Sequence, residues 1–479
     1  MQCPRCQVPN DAGRKFCSAC GQRLTIPCPE CAFVNNPGDQ FCGGCGKPLS
    51  QPARPELQSA ANRFDSVLRT LGYAIAPRRG WSAPGAERAL TRARELSQRI
   101  EETPVLFGAL GGLWTFYFVR ANYRISREIS RLCVALAEQT KSPELLVEAH
   151  LRLGVDCFLC GELTAAREGI ERSLRVYDRD RHRSHAFLYG QDPGVVSLAH
   201  LSRIRWALGY PAQAITRAHE ALALGHELKH PFSLAWALYS RTRLAGPCLR
   251  QWREAQAIAE ELLALSIEQG FPHWTRWATI ARGLALAKQG QSEDGIAQLT
   301  LAIRELRTAG SENSIPFALT LLAEAYASAG QTVEGLNASV EAIALAEETG
   351  EHNWDAETWR VRGELLLMGS EPDGRKAESC FRRGLEVARR QESKSFELRA
   401  ATSLSRLWQR QGKLADARRL LGEVYGWFTE GFDTADLKEA KTLLGELNRA
   451  PDVSSALNPT LPPAHAQSLR AQSGSRLVP

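Results

Sequence analysis

FALTLLAEAYASAGQTVEGLNASVEAIALA, residues 317–346, decides the fold. Phe317, Leu321, Leu322, Ala325, Tyr326 and Ala329 recur at three- and four-residue spacing, which is one face of an amphipathic helix. Gly330 and Gln331 interrupt the pattern, and Val333, Leu336, Val340 and Ile343 resume it in a second helix. The pair is a helical hairpin whose apolar faces need neighbours. The same turn marker opens a second helix at Gly161, Gly209, Trp252, Gly290, Gly330, Gly369 and Gly412, 38 to 48 residues apart. A unit of that period, unable to bury its own face, predicts a stack of hairpins from residue 85 to residue 449.

The period is slightly longer than the 34 residues usual for tetratricopeptides, so the stack is expected to be a TPR-like solenoid. Small residues such as Ala325, Ala327 and Gly335 let neighbouring helices approach closely. The last element, with Asp433 as N-cap and Phe432 stapled onto Leu437, reads as a polar-faced capping helix. Residues 450–479 contain five prolines and no aromatics, the composition of a disordered tail. Residues 51–84 read as a linker.

Residues 3–24, CPRCQVPNDAGRKFCSACGQRL, reappear as residues 28–49, CPECAFVNNPGDQFCGGCGKPL. Cys3, Cys6, Cys17 and Cys20 match Cys28, Cys31, Cys42 and Cys45 with no slip in register. Two CxxC knuckles facing each other close a tetrahedron of thiolates around zinc. Each half has too few apolar side chains to fold alone, so metal must supply most of the folding energy. Four protein sulfurs per site leave no open position for water, which marks a structural metal rather than a catalytic one. Two structural Zn²⁺ per chain are therefore expected, on a double ribbon at residues 1–50. The overall fold class is mainly α, a helical-hairpin solenoid preceded by two small four-cysteine ribbons.

Formal net charge is +6 with every cysteine counted as a neutral thiol. Two sites of four thiolates would each carry about −2, which leaves about +2. That balance argues against a protein built to neutralise phosphates, although ribbons contacting DNA or RNA remain the alternative reading. CxxC pairs rather than a disulfide framework suit a reducing cytoplasm. The uncharged run from Thr103 to Val119 is marginal against the ~20 residues a membrane span needs and reads as a buried repeat helix.

Two further constellations have competing readings. Cys157 and Cys160 look like a third knuckle, but no second CxxC follows them, and core packing is the simpler role. Cys133, Cys248 and Cys380 read the same way. The tryptophans Trp206, Trp236, Trp274, Trp277 and Trp354 are either fillers between stacked helices or anchors for a protein segment in the concave groove. The stretch RDRHRSHAFLYGQDPG, residues 179–194, reads as a solvated connector, with Arg181, His182, Arg183 and His185 as a candidate anion or partner contact and Asp192-Pro193 as the next helix's cap. No GxxxxGK[ST] loop occurs in the sequence and no Ser/His/Asp or paired-carboxylate arrangement stands out, so an enzyme is not expected.

The segments AFLYGQDPGVVSLAH (186–200), HPFSLAWAL (230–238), EQGFPHW (268–274), LLAEAYASAGQ (321–331), KSFELRAATSLSRLWQRQGK (394–413) and YGWFTEGFDTADLKEAK (425–441) resemble the C-terminal repeats of a family of large signalling proteins. Those proteins join a double zinc ribbon, a class III adenylate/guanylate cyclase, an AAA-type ATPase and a helical-repeat tail. Here residues 50–84 stand where the two catalytic domains would be. The resemblance implies the ribbon cysteines and the repeat fold, and nothing catalytic. It implies a regulatory adaptor or interaction scaffold of bacterial signalling, or a non-catalytic remnant of such a protein.

Overall fold

The structure is a computed structural model that describes Cys3, residues 6–9, 16–22, 24–27 and 34–35, Thr91, and residues 103–449. The expected linker at 51–84, the tail at 450–479 and the second ribbon's Cys28, Cys31, Cys42 and Cys45 lie outside these residues. The chain divides into two compact units, Met1–Val67 and Leu68–Pro479.

In the first unit a two-stranded antiparallel sheet pairs β1 (Ile26–Pro27) with β2 (Val34–Asn35). In the second, helices stack as eight antiparallel hairpins and a cap among the described residues. The first hairpin is α1 (Thr103–Val119) with α2 (Tyr123–Thr140), and the second α3 (Pro143–Leu159) with α4 (Leu163–Val176). After a one-turn helix, α5 (His185–Leu188), come α6 (Pro193–Ala207) with α7 (Pro211–Leu228), and α8 (Pro231–Arg243) with α9 (Trp252–Gln269). The series continues with α10 (Pro272–Lys288) and α11 (Ser292–Thr308), α12 (Ile315–Ser328) and α13 (Thr332–Thr349), α14 (Asp355–Met368) and α15 (Gly374–Arg390). It ends with α16 (Lys394–Arg410) and α17 (Leu414–Gly426), closed by α18 (Ala435–Arg449).

Local chemistry sets the starts. Pro143, Pro193, Pro211, Pro231 and Pro272 each stand in a first helical turn, where the missing N–H is no loss. The Asp192 carboxylate accepts from Val195 N at 2.9 Å, as the Asp-Pro pair predicts. At the hairpin tip Gly330 takes φ +72°, the left-handed conformation a side chain resists. Gly335 fulfils the close approach read from the sequence, since a Cβ there would lie 2.7 Å from Leu365 and 3.3 Å from the Ala323 carbonyl.

The uncharged run Thr103–Val119 is a repeat helix. Phe107, Leu110, Leu113 and Phe116 are buried, and no helix among the described residues is long and apolar enough to cross a membrane. Two sequence expectations fail at the cap. Thr434, directly before α18, holds the cap position, since its carbonyl receives Lys438 N at 3.1 Å, so Asp433 lies one residue too early to be the N-cap. Phe432 is 47% exposed and rests on Tyr425 at 6.0 Å rather than on the buried Leu437.

The stack coils tightly enough to meet itself. The Val119 carbonyl at the end of α1 accepts from Glu312 N (2.8 Å) and Asn313 N (3.0 Å) just before α12. Leu159 at the end of α3 accepts from His352 N (2.8 Å) and Asn353 N (3.1 Å) just before α14. Ala207 at the end of α6 accepts from Ser393 Oγ at 3.1 Å. Each contact joins one hairpin to the fifth hairpin after it, so five hairpins make one superhelical turn. A π-helical turn, Leu244–Cys248, extends α8 and contains Pro247. There Arg399 Nη2 of α16 donates to the carbonyls of Pro247 (2.9 Å) and Cys248 (2.8 Å), sealing the same edge.

Candidate functional site

In the first ribbon the two knuckles are built alike. Gln7 N donates to the Cys3 carbonyl at 2.9 Å and Gly21 N to the Cys17 carbonyl at 3.0 Å, while Gln7 and Gly21 both adopt positive φ. The turns bring Cys3 Sγ to 3.6 Å from Cys20 Sγ, and Cys6 Sγ to 3.5 Å from Cys17 Sγ. All four sulfurs lie within 4.8 Å of one another. A tetrahedron with zinc–sulfur bonds of about 2.3 Å has edges of roughly 3.8 Å, so the donor set and its size both fit zinc. Leu24 is 1% exposed beside Cys3 and Cys17, whereas Phe16, the aromatic that Phe41 matches in the second copy of the sequence repeat, is 58% exposed. The apolar support under the metal site is therefore the leucine, not the phenylalanine.

Cys157 and Cys160 do not form a third knuckle. Cys157 is buried in α3, Cys160 ends that helix, and burial pushes their thiols up to about 11 and about 12. Burial likewise raises Cys133 to about 11 and Cys248 to about 12. These are packed thiols of low reactivity at neutral pH.

The tryptophans sort differently from an open groove. Trp206 of α6 stacks on Trp354 at 6.2 Å, and Phe396 of α16 meets Trp206 at 5.1 Å and Trp354 at 4.8 Å. Phe317 of α12 approaches Trp354 to 4.9 Å. Side chains from hairpins three, six and eight thus meet at the seam between successive turns of the coil, together with Trp354 at the start of hairpin seven. The reading of Trp206 and Trp354 as groove anchors is corrected in favour of the filler reading, because both rings are buried between neighbouring hairpins, 3% and 6% exposed. Trp274 and Trp277 are also buried, and Trp236 is half-buried. These last three line a cavity instead.

The connector at 179–194 is only partly solvated. Arg181 is exposed and its Nε donates to Glu144 at 2.7 Å, and Arg183 is exposed. His182 and His185, in contrast, are buried, ring against ring at 5.0 Å, with His185 Nδ1 3.0 Å from Glu148. These four residues do not converge on one anion site: two point outward and two are packed inward.

The interior cavity, about 90 Å³, lies between α1, α3, α6, α8 and α10. Its aromatic wall includes Trp236, Trp274 and Trp277, and its charged groups are Arg152, Arg203, Arg243 and Glu148. Glu148 is committed to Arg152 at 3.2 Å and to His185. Arg203 is 5% exposed, and its Nε and Nη2 have no hydrogen-bond partner among the described residues. Its guanidinium lies over the rings of Phe158 (5.1 Å) and Tyr239 (6.0 Å). Arg243, 4% exposed, donates to Tyr239 OH at 3.1 Å and stands 3.7 Å over the Phe317 ring. Cation–π contacts of this kind return ~0.5–2 kcal/mol, against a desolvation cost of several kcal/mol per ion. Burial, and then the neighbouring Arg243, draw Arg203 down to about 9. Sequence reading missed both arginines, since an arginine in an amphipathic helix ordinarily reads as solvated.

A second polar cluster, beside Pro247, shows the opposite balance. Five basic and five acidic side chains line it. Arg399 bonds Glu357 at 3.0 Å and Asp436 at 2.8 Å, and Arg250 bonds Glu439 at 2.5 Å. That cluster is internally neutralised and ties hairpins four, seven and eight to the cap.

Fold and site together define a zinc-ribbon protein carrying a TPR-like helical repeat. The double zinc ribbon family matches residues 3–46. A relative from Rhizobium meliloti (strain 1021), itself described as uncharacterized, is 21% identical over 343 residues, covering 71% of this chain and 32% of its own. The chain therefore spans about a third of that relative's length. Among solved structures the fold is similar to a Rap protein complexed with Competence and Sporulation Factor, with a TM-score of 0.53, 11% identity, and coverage of 82% of this chain and 99% of that chain. A human IFIT1 dimer with PPP-AAAA aligns at a TM-score of 0.42 and 13% identity, over 84% of this chain and 86% of that chain.

Proposed function

We propose that this chain is a non-catalytic regulatory adaptor of bacterial signalling, in which the ribbons dock a protein partner and the solenoid is the regulatory body. The observation that carries it is the pairing of a closed all-sulfur metal geometry at Cys3, Cys6, Cys17 and Cys20 with a repeat stack that seals itself through Val119, Leu159 and Ala207. A closed four-sulfur site shapes a surface rather than activating water. On matching sequence spacing the proposal extends zinc binding to Cys28, Cys31, Cys42 and Cys45, giving two zinc ions per chain, and it takes a reducing cytoplasm as the compartment.

The self-closed coil changes how the solenoid takes part. Trp206 and Trp354 are buried in the seam between turns and offer no ring face to a protein segment, so this reading gives protein contact to the ribbons. The similar fold complexed with Competence and Sporulation Factor supports a binding role for such a coil, and a relative about twice as long shows that such a repeat region also occurs within a longer chain. The test is capture of cross-linked partners by the tagged full chain in cells, compared with a Cys3→Ser, Cys6→Ser variant. Loss of the captured set in the variant is expected; an identical set from both refutes docking through the ribbon.

A further inference from the structure

We infer that the interior cavity is a binding site for a small organic carboxylate with an apolar or ring-shaped body. The inference goes beyond the adaptor reading and concerns the solenoid alone. Its ground is a charge imbalance inside the molecule. The cluster beside Pro247 matches every basic side chain with an acidic one, whereas the cavity holds Arg152, Arg203 and Arg243 against Glu148 alone. Glu148 is already held by Arg152 and His185. Glu351, whose charge Arg243 also feels, spends Oε2 on Tyr123 OH at 2.7 Å and Ser314 N at 2.9 Å.

Arg203 is then a nine-tenths-buried cation lining the cavity, and its Nε and Nη2 have no hydrogen-bond partner among the described residues. A guanidinium edge is shaped for the two oxygens of a carboxylate, and an anion there completes the pairing that the protein omits. The rest of the wall selects the body of the ligand. Trp236, Trp274 and Trp277 offer flat apolar faces, with Trp236 4.8 Å from Trp274. The space, about 90 Å³ and partly open, suits a small acid of single-ring size rather than a peptide or a nucleotide. The cavity also includes Asn313 and Ser314, next to the Val119 clasp, so an occupant bridges hairpins one and six. A bound carboxylate thereby favours the closed coil.

The probe is benzoate, titrated into the purified full chain and read by tryptophan fluorescence, with benzyl alcohol and inorganic phosphate as the matched neutral and purely anionic arms. The expected result is a saturable change with benzoate that neither control reproduces. Arg203→Met should weaken benzoate at least tenfold while leaving the melting temperature equal or higher, because a buried unpaired charge has been removed. Arg203→Lys, which keeps the charge and loses the planar fork, should weaken it less than Met does. Benzyl alcohol or phosphate binding as well as benzoate overturns the inference, as does unaltered benzoate affinity in the Met variant or no saturable binding at all. The readout needs no protein partner, so failure here and failure of the adaptor reading are distinguishable.

Discussion

The hydroxyl of Tyr123 donates to Glu351 Oε2 at 2.7 Å, across 228 residues of chain. One end is the first residue of α2 in hairpin one and the other stands in the loop entering α14, so the bond spans a full turn of the coil. Glu351 is 1% exposed, and burial raises its carboxyl above the ordinary range despite the tyrosine and Ser314 N. Tyr123→Phe removes a hydrogen bond to this buried acid and should destabilise the solenoid by about 1.5–3 kcal/mol. The check is thermal unfolding joined to hydrogen exchange: a lower melting temperature, with Asn313 and Asn353 amides exchanging faster. Unchanged exchange at both amides would show that the clasps do not depend on this pair.

Metal content tests the ribbon. Protein prepared with zinc and reductant should carry two zinc ions per chain, one of them on Cys3, Cys6, Cys17 and Cys20. Structural zinc in comparable small modules supplies roughly 10–16 kcal/mol of folding energy. Cys3→Ser should therefore lower the zinc content by one and leave the helical circular dichroism of residues 103–449 intact. A parallel loss of helicity would mean that the two units do not fold independently.

Hairpin helices and ribbon cysteines were legible because their signals are local. Gly330 and the apolar spacing around Tyr326 lie within one hairpin, and Cys3 to Cys20 lie within one ribbon. The closure of the coil was not legible. It follows from a small rotation added at every hairpin, and nothing near Val119 announces that Asn313 will meet it. For the same reason Trp354 has the sequence signature of a groove anchor and the position of a core residue at the seam between turns. Arg203 and Arg243 were missed because helix periodicity records where a side chain points, not whether the space it enters is closed.

Trp354→Ala and Trp236→Ala should separate core from cavity wall. Trp354 packs on Trp206, Phe317 and Phe396, so its truncation should cost about 3–5 kcal/mol in chemical unfolding. Trp236 is half-buried beside an existing cavity, and its truncation should cost distinctly less. Equal losses would contradict the core packing assigned to Trp354.

Asp156 gives the solenoid a measurable pH signature. It is fully buried, accepts from Trp114 Nε1 at 2.9 Å and from Ser126 Oγ at 2.8 Å, and burial still pushes it up to about 6. Its unfolded value lies near 3.9. Between those values the folded chain holds the extra proton, so this group's contribution to stability rises as pH falls from above 6 toward 4 and is lost as pH climbs back through 6. In Asp156→Asn the amide oxygen accepts from Trp114 and its N–H₂ donates to Ser126, preserving the contacts without the titration. The wild type minus variant stability difference should shift in favour of the wild type as pH falls from 7 to 4.5; a flat difference would refute the assignment.

The adaptor reading stands most directly on partner capture through an intact ribbon. The full chain, tagged at its C-terminus and cross-linked in its native cells, should retain a defined protein set when zinc-loaded. Cys3→Ser, Cys6→Ser should lose that set, while Tyr123→Phe, which touches only the solenoid, should keep it. Capture that survives destruction of the four-sulfur site, or the absence of any protein retained above an untagged control, would contradict the account.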